Sequence, residues 1–284
     1  MRIIKRKKGK KEYFYLQHSF RKGPQVITKE VYLGKEIPKN IGGFKQKLEY
    51  ESKKDLHNKL EKIKKNFQKE WKSYPESIKE QEQEQIAISF TYNTNAIEGS
   101  KITLQETRDI IEEKMAPNKP LKDIKETEAH CRVFLASLKK KEKITKELLL
   151  KWHKEIFGGT KQDIAGMFRT YLVRVGNYVA PDWQDVKKLM QQLIECINNN
   201  KNINPVELAG ITHYKFEAIH PFGDGNGRIG RLLMNYILWH NSYPMLIIDY
   251  KKRGSYYKAL EKGEEYFLHY FLRRYLTTHK KRFS

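Results

Sequence analysis

The run His220-Pro221-Phe222-Gly223-Asp224-Gly225-Asn226-Gly227-Arg228-Ile229-Gly230-Arg231 decides how the chain is read. Upstream, Asn204-Pro205-Val206-Glu207 supplies an N-cap residue, a proline at the first helical position and a glutamate at the third, a combination that starts helices. Leu208, Ile211 and Ile219 continue that helix, and Pro221 predicts its end near His220. Downstream, Ile229, Leu232, Leu233, Tyr236 and Ile237 recur at i, i+3, i+4, i+7 and i+8, the stripe of an amphipathic helix that begins near Gly227. The glycines therefore lie between two helices, at the start of the second.

That placement has chemical consequences. The first amides of a helix have no partner within it, and the helix dipole adds positive potential there. Gly225 and Gly227 remove the Cβ atoms that would keep a ligand away from those amides, so the backbone can converge on an anion. Arg228 and Arg231 lie three apart and can each pair with phosphate oxygens. Asp224 is a hard oxygen ligand suited to Mg²⁺ bridging two phosphates. His220 is the one group in the run whose ordinary pKa, about 6.5, suits proton abstraction near neutrality. Together they describe a polyphosphate site with a base beside it.

Two rival readings compete. Gly225-Asn226-Gly227-Arg228-Ile229-Gly230 matches the dinucleotide fingerprint, and Met245-Leu246-Ile247-Ile248-Asp249 is a strand-like run ending in an acid. That fingerprint needs a strand immediately upstream, where a capped helix stands instead. A plain helix–loop–helix corner explains glycine and aspartate, but not a histidine, an aspartate and two arginines around three glycines.

Outward from this run, most of the chain from about Ser77 is helical in character. The exception is Met167–Ala180, whose alternation and Gly176-Asn177 turn predict an embedded β-hairpin. Phe44 to Trp71 carries Leu56, Leu60, Ile63, Phe67 and Trp71 at helical spacing. Before it, Tyr13–Phe20 and Val26–Leu33 alternate at period two around Arg21–Gln25, a hairpin behind the basic leader Arg2–Lys11. The expected fold class is mainly α, with a flap hairpin and a small N-terminal β-hairpin appendage. The expected domains are 1–42 for leader and hairpin and 43–284 for the helical part. Within the latter, a helix is expected at about 77–99, a core at about 144–246 and C-terminal helices at about 254–284.

Composition narrows the partners. The chain has 284 residues, 56 Lys+Arg against 34 Asp+Glu, a net charge of +22, and 39% hydrophobic residues. It has enough apolar material for a core and no apolar run long enough to span a membrane as a helix. The charged start lacks an apolar segment behind it, so no secretory signal is expected. Cys131 and Cys196 stand far apart and give neither a metal cluster nor a disulfide framework, which makes a reducing cytoplasm the expected location. The basic excess leaves nucleic-acid contact open as a secondary property, although its lysines are dispersed among glutamates.

From His220 to Arg231 the chain resembles the signature of the Fic-domain family, H-P-F-x-[D/E]-G-N-G-R-x-x-R, at every defined position. The likeness extends from about Ile86 to Leu260. Gly166-Met167-Phe168-Arg169 and Val175–Pro181 resemble the family's flap and its approach, and Tyr256-Tyr257 resembles the tyrosine pair that flanks adenosine. Ala180 departs from a proline common at that place, and Asn241-Ser242 replaces a glycine-containing turn.

The resemblance implies transfer of AMP from ATP to a Ser, Thr or Tyr hydroxyl of a protein target. It makes His220 the catalytic base and Asp224 the Mg²⁺ holder. It assigns Gly225, Asn226 and Gly227 to the phosphates with Arg228 assisting, together with the following Ile229 and Gly230, and Arg231 to the γ-phosphate. Gly176, Asn177, Tyr178, Tyr256 and Tyr257 are implied at the flap or the nucleoside end. Thr94-Asn95-Ala96-Ile97-Glu98-Gly99 resembles the family's inhibitory motif [S/T]-x-x-x-E-[G/N], in which Glu98 would pair with Arg231 and take the γ-phosphate's place. By the same analogy Glu98 would align water for removal of AMP. Alternatives at this stage are transfer of another nucleotidyl or phosphoryl group on the same scaffold, and a basic nucleic-acid-binding regulator with a nucleotide-sensing site. The oligomeric state stays open.

Overall fold

The computed structural model describes residues 1–22, 25–176, 178–200 and 202–283. They form two compact units, Met1–Glu61 and Lys62–Ser284. In the first, β1 (Arg2–Lys8), β2 (Lys11–Lys22) and β3 (Gln25–Gly34) make an antiparallel sheet in the order β1-β2-β3, and α1 (Ile41–Ser73) begins. Alternation along the strands sends Phe14, Leu16, Val31 and Leu33 to one face, where they pack with Leu48, Ile41 and Phe44 of α1. Tyr15 and Tyr32 meet at 5.3 Å between ring centres, with the Arg6 guanidinium 5.1 Å from the Tyr15 ring.

The basic leader is thus a strand, and the expected hairpin is a three-stranded meander. Gly9 at φ +62° turns β1 into β2, with Lys8 opposite Lys11 and Arg2 opposite Gln17. Backbone pairing makes this strand, while its lysines and arginines are the side chains that blunt a sheet edge. Composition alone therefore hides it. Gly23 and Pro24, in the expected β2–β3 loop, lie outside the described residues.

The second unit is mainly α. It contains α2 (Glu76–Ile97), α3 (Leu104–Ile111), α4 (Leu121–Lys139), α5 (Lys146–Phe157), the hairpin of β4 (Arg174–Val175) and β5 (Tyr178–Val179), α6 (Val186–Asn199), α7 (Pro205–Ile219), α8 (Asn226–His240), α9 (Arg253–Glu261) and α10 (Glu264–Phe283). Every residue of α8 from Asn226 to Leu238 is buried. Such a helix belongs at the centre. Helices α2, α4, α5 and α7 pack around it, and α10 covers α7.

Helix α7 starts as its sequence dictates, with Asn204 Oδ1 accepting from the Val206 N–H at 2.9 Å. The strand-like run Met245–Asp249 is irregular chain, because Asn235 of α8 takes up its backbone. The Leu246 N–H donates to Asn235 Oδ1 at 2.8 Å, and Asn235 Nδ2 donates to the Leu246 carbonyl at 3.1 Å. Ser242 holds φ +65° in the turn where the sequence departs from a glycine. The flap's strands span only two residues each. Their approach is organised instead by Arg169, whose guanidinium donates to the carbonyls of His220 (2.8 Å), Tyr171 (2.8 Å) and Pro181 (2.6 Å). Carbonyls turned onto one cation cannot also serve a strand ladder.

Candidate active site

The loop between α7 and α8 is held from several sides. His220 ends α7 in the left-handed region at φ 50°, ψ 60°, and Gly225 opens α8 at φ 78°. Asn226 clamps the loop reciprocally: its Oδ1 accepts from the Phe222 N–H and its Nδ2 donates to the Phe222 carbonyl, both at 2.8 Å. His153 of α5 accepts from the Gly166 N–H at Nδ1, 2.9 Å away, so its Nε2 carries the proton and donates to the Asp224 carbonyl at 2.9 Å. Burial lowers the His153 pKa to about 4, keeping the ring neutral in this bridging role. A Cβ at Gly225 would stand 2.4 Å from the Phe157 ring. The glycine is a steric requirement as well as a conformational one.

The start of α8 meets the end of α2. That end is a Schellman arrangement: the Ser100 N–H donates to the Asn95 carbonyl at 3.0 Å, the Gly99 N–H to the Ala96 carbonyl at 3.1 Å, and Gly99 sits at φ +93°. Glu98 is thereby presented at the helix tip. Arg231, 1% exposed, reaches this end with Nε and Nη2. Nε donates to Thr94 Oγ1 at 2.7 Å, and Nη2 donates to the Thr94 carbonyl at 3.2 Å and to Glu98 Oε1 at 2.6 Å. The cation also faces the negative end of the α2 dipole. Burial opposes its charge most strongly, but Glu98, Tyr256 and Glu217 together outweigh burial and raise the Arg231 pKa. A Cβ on Gly227 would stand 2.2 Å from Glu98 Oε1. The carboxylate therefore lies over the first turn of α8, where free amides and dipole favour an anion.

Arg228 is held by a different carboxylate. Its Nη1 bonds Glu126 of α4, and its guanidinium carbon lies 4.4 Å from the Phe157 ring centre. Glu126 also accepts from Thr160 Oγ1 at 2.8 Å and pairs with Lys161 Nζ at 3.0 Å. Lys161 in turn lies 2.8 Å from Asp224 Oδ2. Burial pushes the Glu126 pKa upward, but the charge and bonds of Arg228 and the bonds of Lys161 and Thr160 hold it below the ordinary value. Asp224 is lowered in the same way by Lys161 and Arg228 against burial. These groups border a polar pocket of about 240 Å³ that Asn95, Glu98 and Lys122 also line.

The imidazole of His220 donates from Nδ1 to the Glu217 carbonyl at 3.3 Å, because a carbonyl can only accept. Its Nε2 then carries the lone pair. Burial lowers its pKa, partly offset by that bond and by Glu98. Tyr256 is buried, its hydroxyl 2.8 Å from His213 Nε2 and 3.4 Å from Arg231 Nη1. Tyr257 is part-exposed and donates to the Ile97 carbonyl at 3.3 Å. Tyr178 donates to the Ala218 carbonyl at 2.7 Å, tying the flap to the end of α7 beside His220. Gly176 turns the flap at φ +58°, and Asn177 lies outside the described residues. Ile229 is fully buried and its N–H is taken by the Gly225 carbonyl at 3.1 Å. Gly230 leaves room for Glu217, whose Oε1 would lie 2.5 Å from an added Cβ.

Thus Glu98 is brought to Arg231, as its motif suggested, with Thr94 beside it; Tyr256, implied at the nucleoside end, also stands against Arg231. Sequence reasoning missed Glu126, His153, Lys161 and Glu217. Glu126 belongs to no motif read in the sequence, and only the fold shows it buried in α4 beside Thr127 and His130.

A helical domain whose loop–helix junction gathers an imidazole, free helix amides and two buried arginines defines an anion-handling site. Comparison with known proteins gives that class a family. Residues 143–238 match the Fic/DOC family. Protein adenylyltransferase Fic from Nematostella vectensis is 36% identical over 189 residues, covering 64% of this chain and 44% of that protein. The protein of the same name from Drosophila ananassae is 37% identical over 180 residues, covering 61% and 36%. The solved structure of a Fic-1 fragment from C. elegans aligns with a TM-score of 0.69 and 25% identity over 86% of this chain and 77% of that one. Residues 143–238 of this chain are a Fic-family domain. The chain spans less than half the length of these two curated relatives.

Proposed function

We propose that this protein is an adenylyltransferase that moves AMP from ATP to a hydroxyl side chain of a protein, and that Glu98 restrains it. The observation that carries the proposal is the Glu98–Arg231 contact of 2.6 Å, laid over Gly227 at the first turn of α8. An anion already sits where helix amides and a buried guanidinium would receive a phosphate. The names of the relatives support the nucleotide and the transferred group.

In this reading, His220 Nε2 takes the proton of the target hydroxyl as its oxygen bonds the α-phosphorus. The bond from that phosphorus to the bridging oxygen breaks, and pyrophosphate leaves. The α8 amides, Arg228 and Arg231 orient the phosphates and offset their charge, which is most of what such a transfer needs. Glu98 excludes the γ-phosphate while it holds Arg231. Asp224 would hold Mg²⁺. Its side chain is 48% exposed and offers one hard carboxylate beside a phosphate-binding helix start, which fits a cation otherwise held by substrate phosphates. When bound, that cation supplies charge neutralisation at the phosphates. A cytoplasmic setting belongs to the same proposal.

Incubating the Glu98→Gly variant with ATP labelled in the α-phosphate or adenine tests this reading. Labelled AMP should appear on protein well above the wild-type level, and mass spectrometry should place it on a hydroxyl. Adding His220→Ala should lower transfer by about 10²–10⁴-fold while ATP still binds. Equal labelling by Glu98→Gly and wild type would remove Glu98 as a restraint. Labelling of the double variant at the single variant's rate would remove His220 as the base.

A further inference from the structure

The polar pocket beside Asp224 holds a cation that the reaction proposed above does not use. Lys161 stands in the turn after α5. Its N–H donates to the Phe157 carbonyl at 2.8 Å, and its own carbonyl accepts from Ile164 and Ala165 at 3.2 and 3.0 Å. The side chain is 12% exposed, and the ammonium lies 4.7 Å from the Phe157 ring centre. This is a fixed group rather than a mobile surface lysine. It bridges Asp224 Oδ2 at 2.8 Å and Glu126 Oε1 at 3.0 Å. Glu126 is fixed in turn by Arg228 and Thr160.

We propose that Lys161 is a positioning residue that competes with the divalent cation for Asp224 Oδ2, so that the metal requirement for nucleotide binding is set by how readily its ammonium gives up Asp224. The proposal rests on the reading of Asp224 as the metal-holding carboxylate. Its argument is charge and space: an ammonium and a divalent cation repel each other and cannot both take one carboxylate oxygen at contact distance. Glu126 and the Phe157 ring remain as partners once Asp224 is released. The exchange therefore costs one charge-assisted hydrogen bond and does not strand a buried charge.

The test uses the full chain and an ATP analogue with a methylene between the α- and β-phosphorus, which cannot transfer AMP. Its affinity is measured by calorimetry across a series of free Mg²⁺ concentrations. In Lys161→Met the Mg²⁺ concentration that half-saturates the effect should fall about tenfold, the size of one charge-assisted bond. Lys161→Gln, should the methionine variant not fold, should move the same way, and Asp224→Asn should abolish the gain in either background. Damage to the site weakens binding. Only removal of a competitor strengthens the metal's effect.

An unmoved or raised Mg²⁺ midpoint in both lysine variants, with the analogue still bound, overturns the role given to Lys161. Failure of both the wild-type chain and the Glu98→Gly variant to bind the analogue at any Mg²⁺ concentration overturns the nucleotide reading itself, and this inference with it.

Discussion

Arg228 and Arg231 lie three residues apart on one helix, and each is neutralised by a carboxylate more than a hundred positions away in sequence, yet the two pairs are built differently. Glu126 sits inside α4 with its side chain 5% exposed, and it serves Arg228, Thr160 and Lys161 together. Glu98 sits at the capped end of α2 with its side chain 27% exposed, and Arg231 is the side chain it is paired with. Arg231 keeps Thr94 Oγ1 and the Thr94 carbonyl whether or not Glu98 stays. The same residue types thus make a fixed joint in one place and a displaceable one in the other. Burial and the number of partners separate them, since a carboxylate that can reach water loses less when its ion pair opens.

Stability measurements can break this distinction. Glu126→Ala should have the largest effect, about 3–5 kcal/mol in urea unfolding, because it strands a buried guanidinium and frees Thr160 and Lys161. A cost at or below that of Glu98→Ala would show that the two joints do not differ.

A third carboxylate near Arg231 sharpens the comparison through pH. Glu217 is part-buried on α7, its buried Oε1 lacks a hydrogen-bond partner among the described residues, and desolvation raises its pKa from 4.5 to about 8. The folded state therefore holds a proton that the unfolded state releases. This group's stabilising contribution is complete below about pH 4.5 and is lost as pH rises toward 8. Glu217→Gln should nearly match wild type near pH 4.5 and exceed it by roughly 4 kcal/mol at pH 8. Parallel stability profiles for the two proteins would mean that Glu217 is ionised in the fold and already serves as a second counter-ion to Arg231.

Glu98→Ala should have the smallest effect on folding, about 1 kcal/mol, since its carboxylate is part-exposed and Arg231 retains Thr94. A loss several times larger would make Glu98 a structural joint like Glu126.

Local chemistry made the helix boundaries legible in the sequence. Asn204 and Pro205 start α7, Pro221 follows its end, and the glycines open α8, because caps and forbidden backbone conformations act over three or four residues. The Thr94–Gly99 motif was legible for a similar reason. The Gly99 cap that could have been only a helix stop is the same feature that presents Glu98. The edge strand Arg2–Lys8 was missed because its evidence is a backbone register with β2, and its side chains look like those of a solvated leader. The flap's alternation overstated its strands, since Arg169 takes the carbonyls that a longer ladder would need.

The sequence by itself determined a mainly helical fold and the residues of the loop from His220 to Arg231. Only the tertiary structure decided which partners they keep: Glu126 for Arg228, Lys161 for Asp224 and His153 for the loop backbone. Helix propensity, capping and periodicity are read from neighbours along the chain. The neutralisation of a buried charge depends on which distant side chain the packing of helices brings within three ångströms or so, and no spacing in the sequence records that.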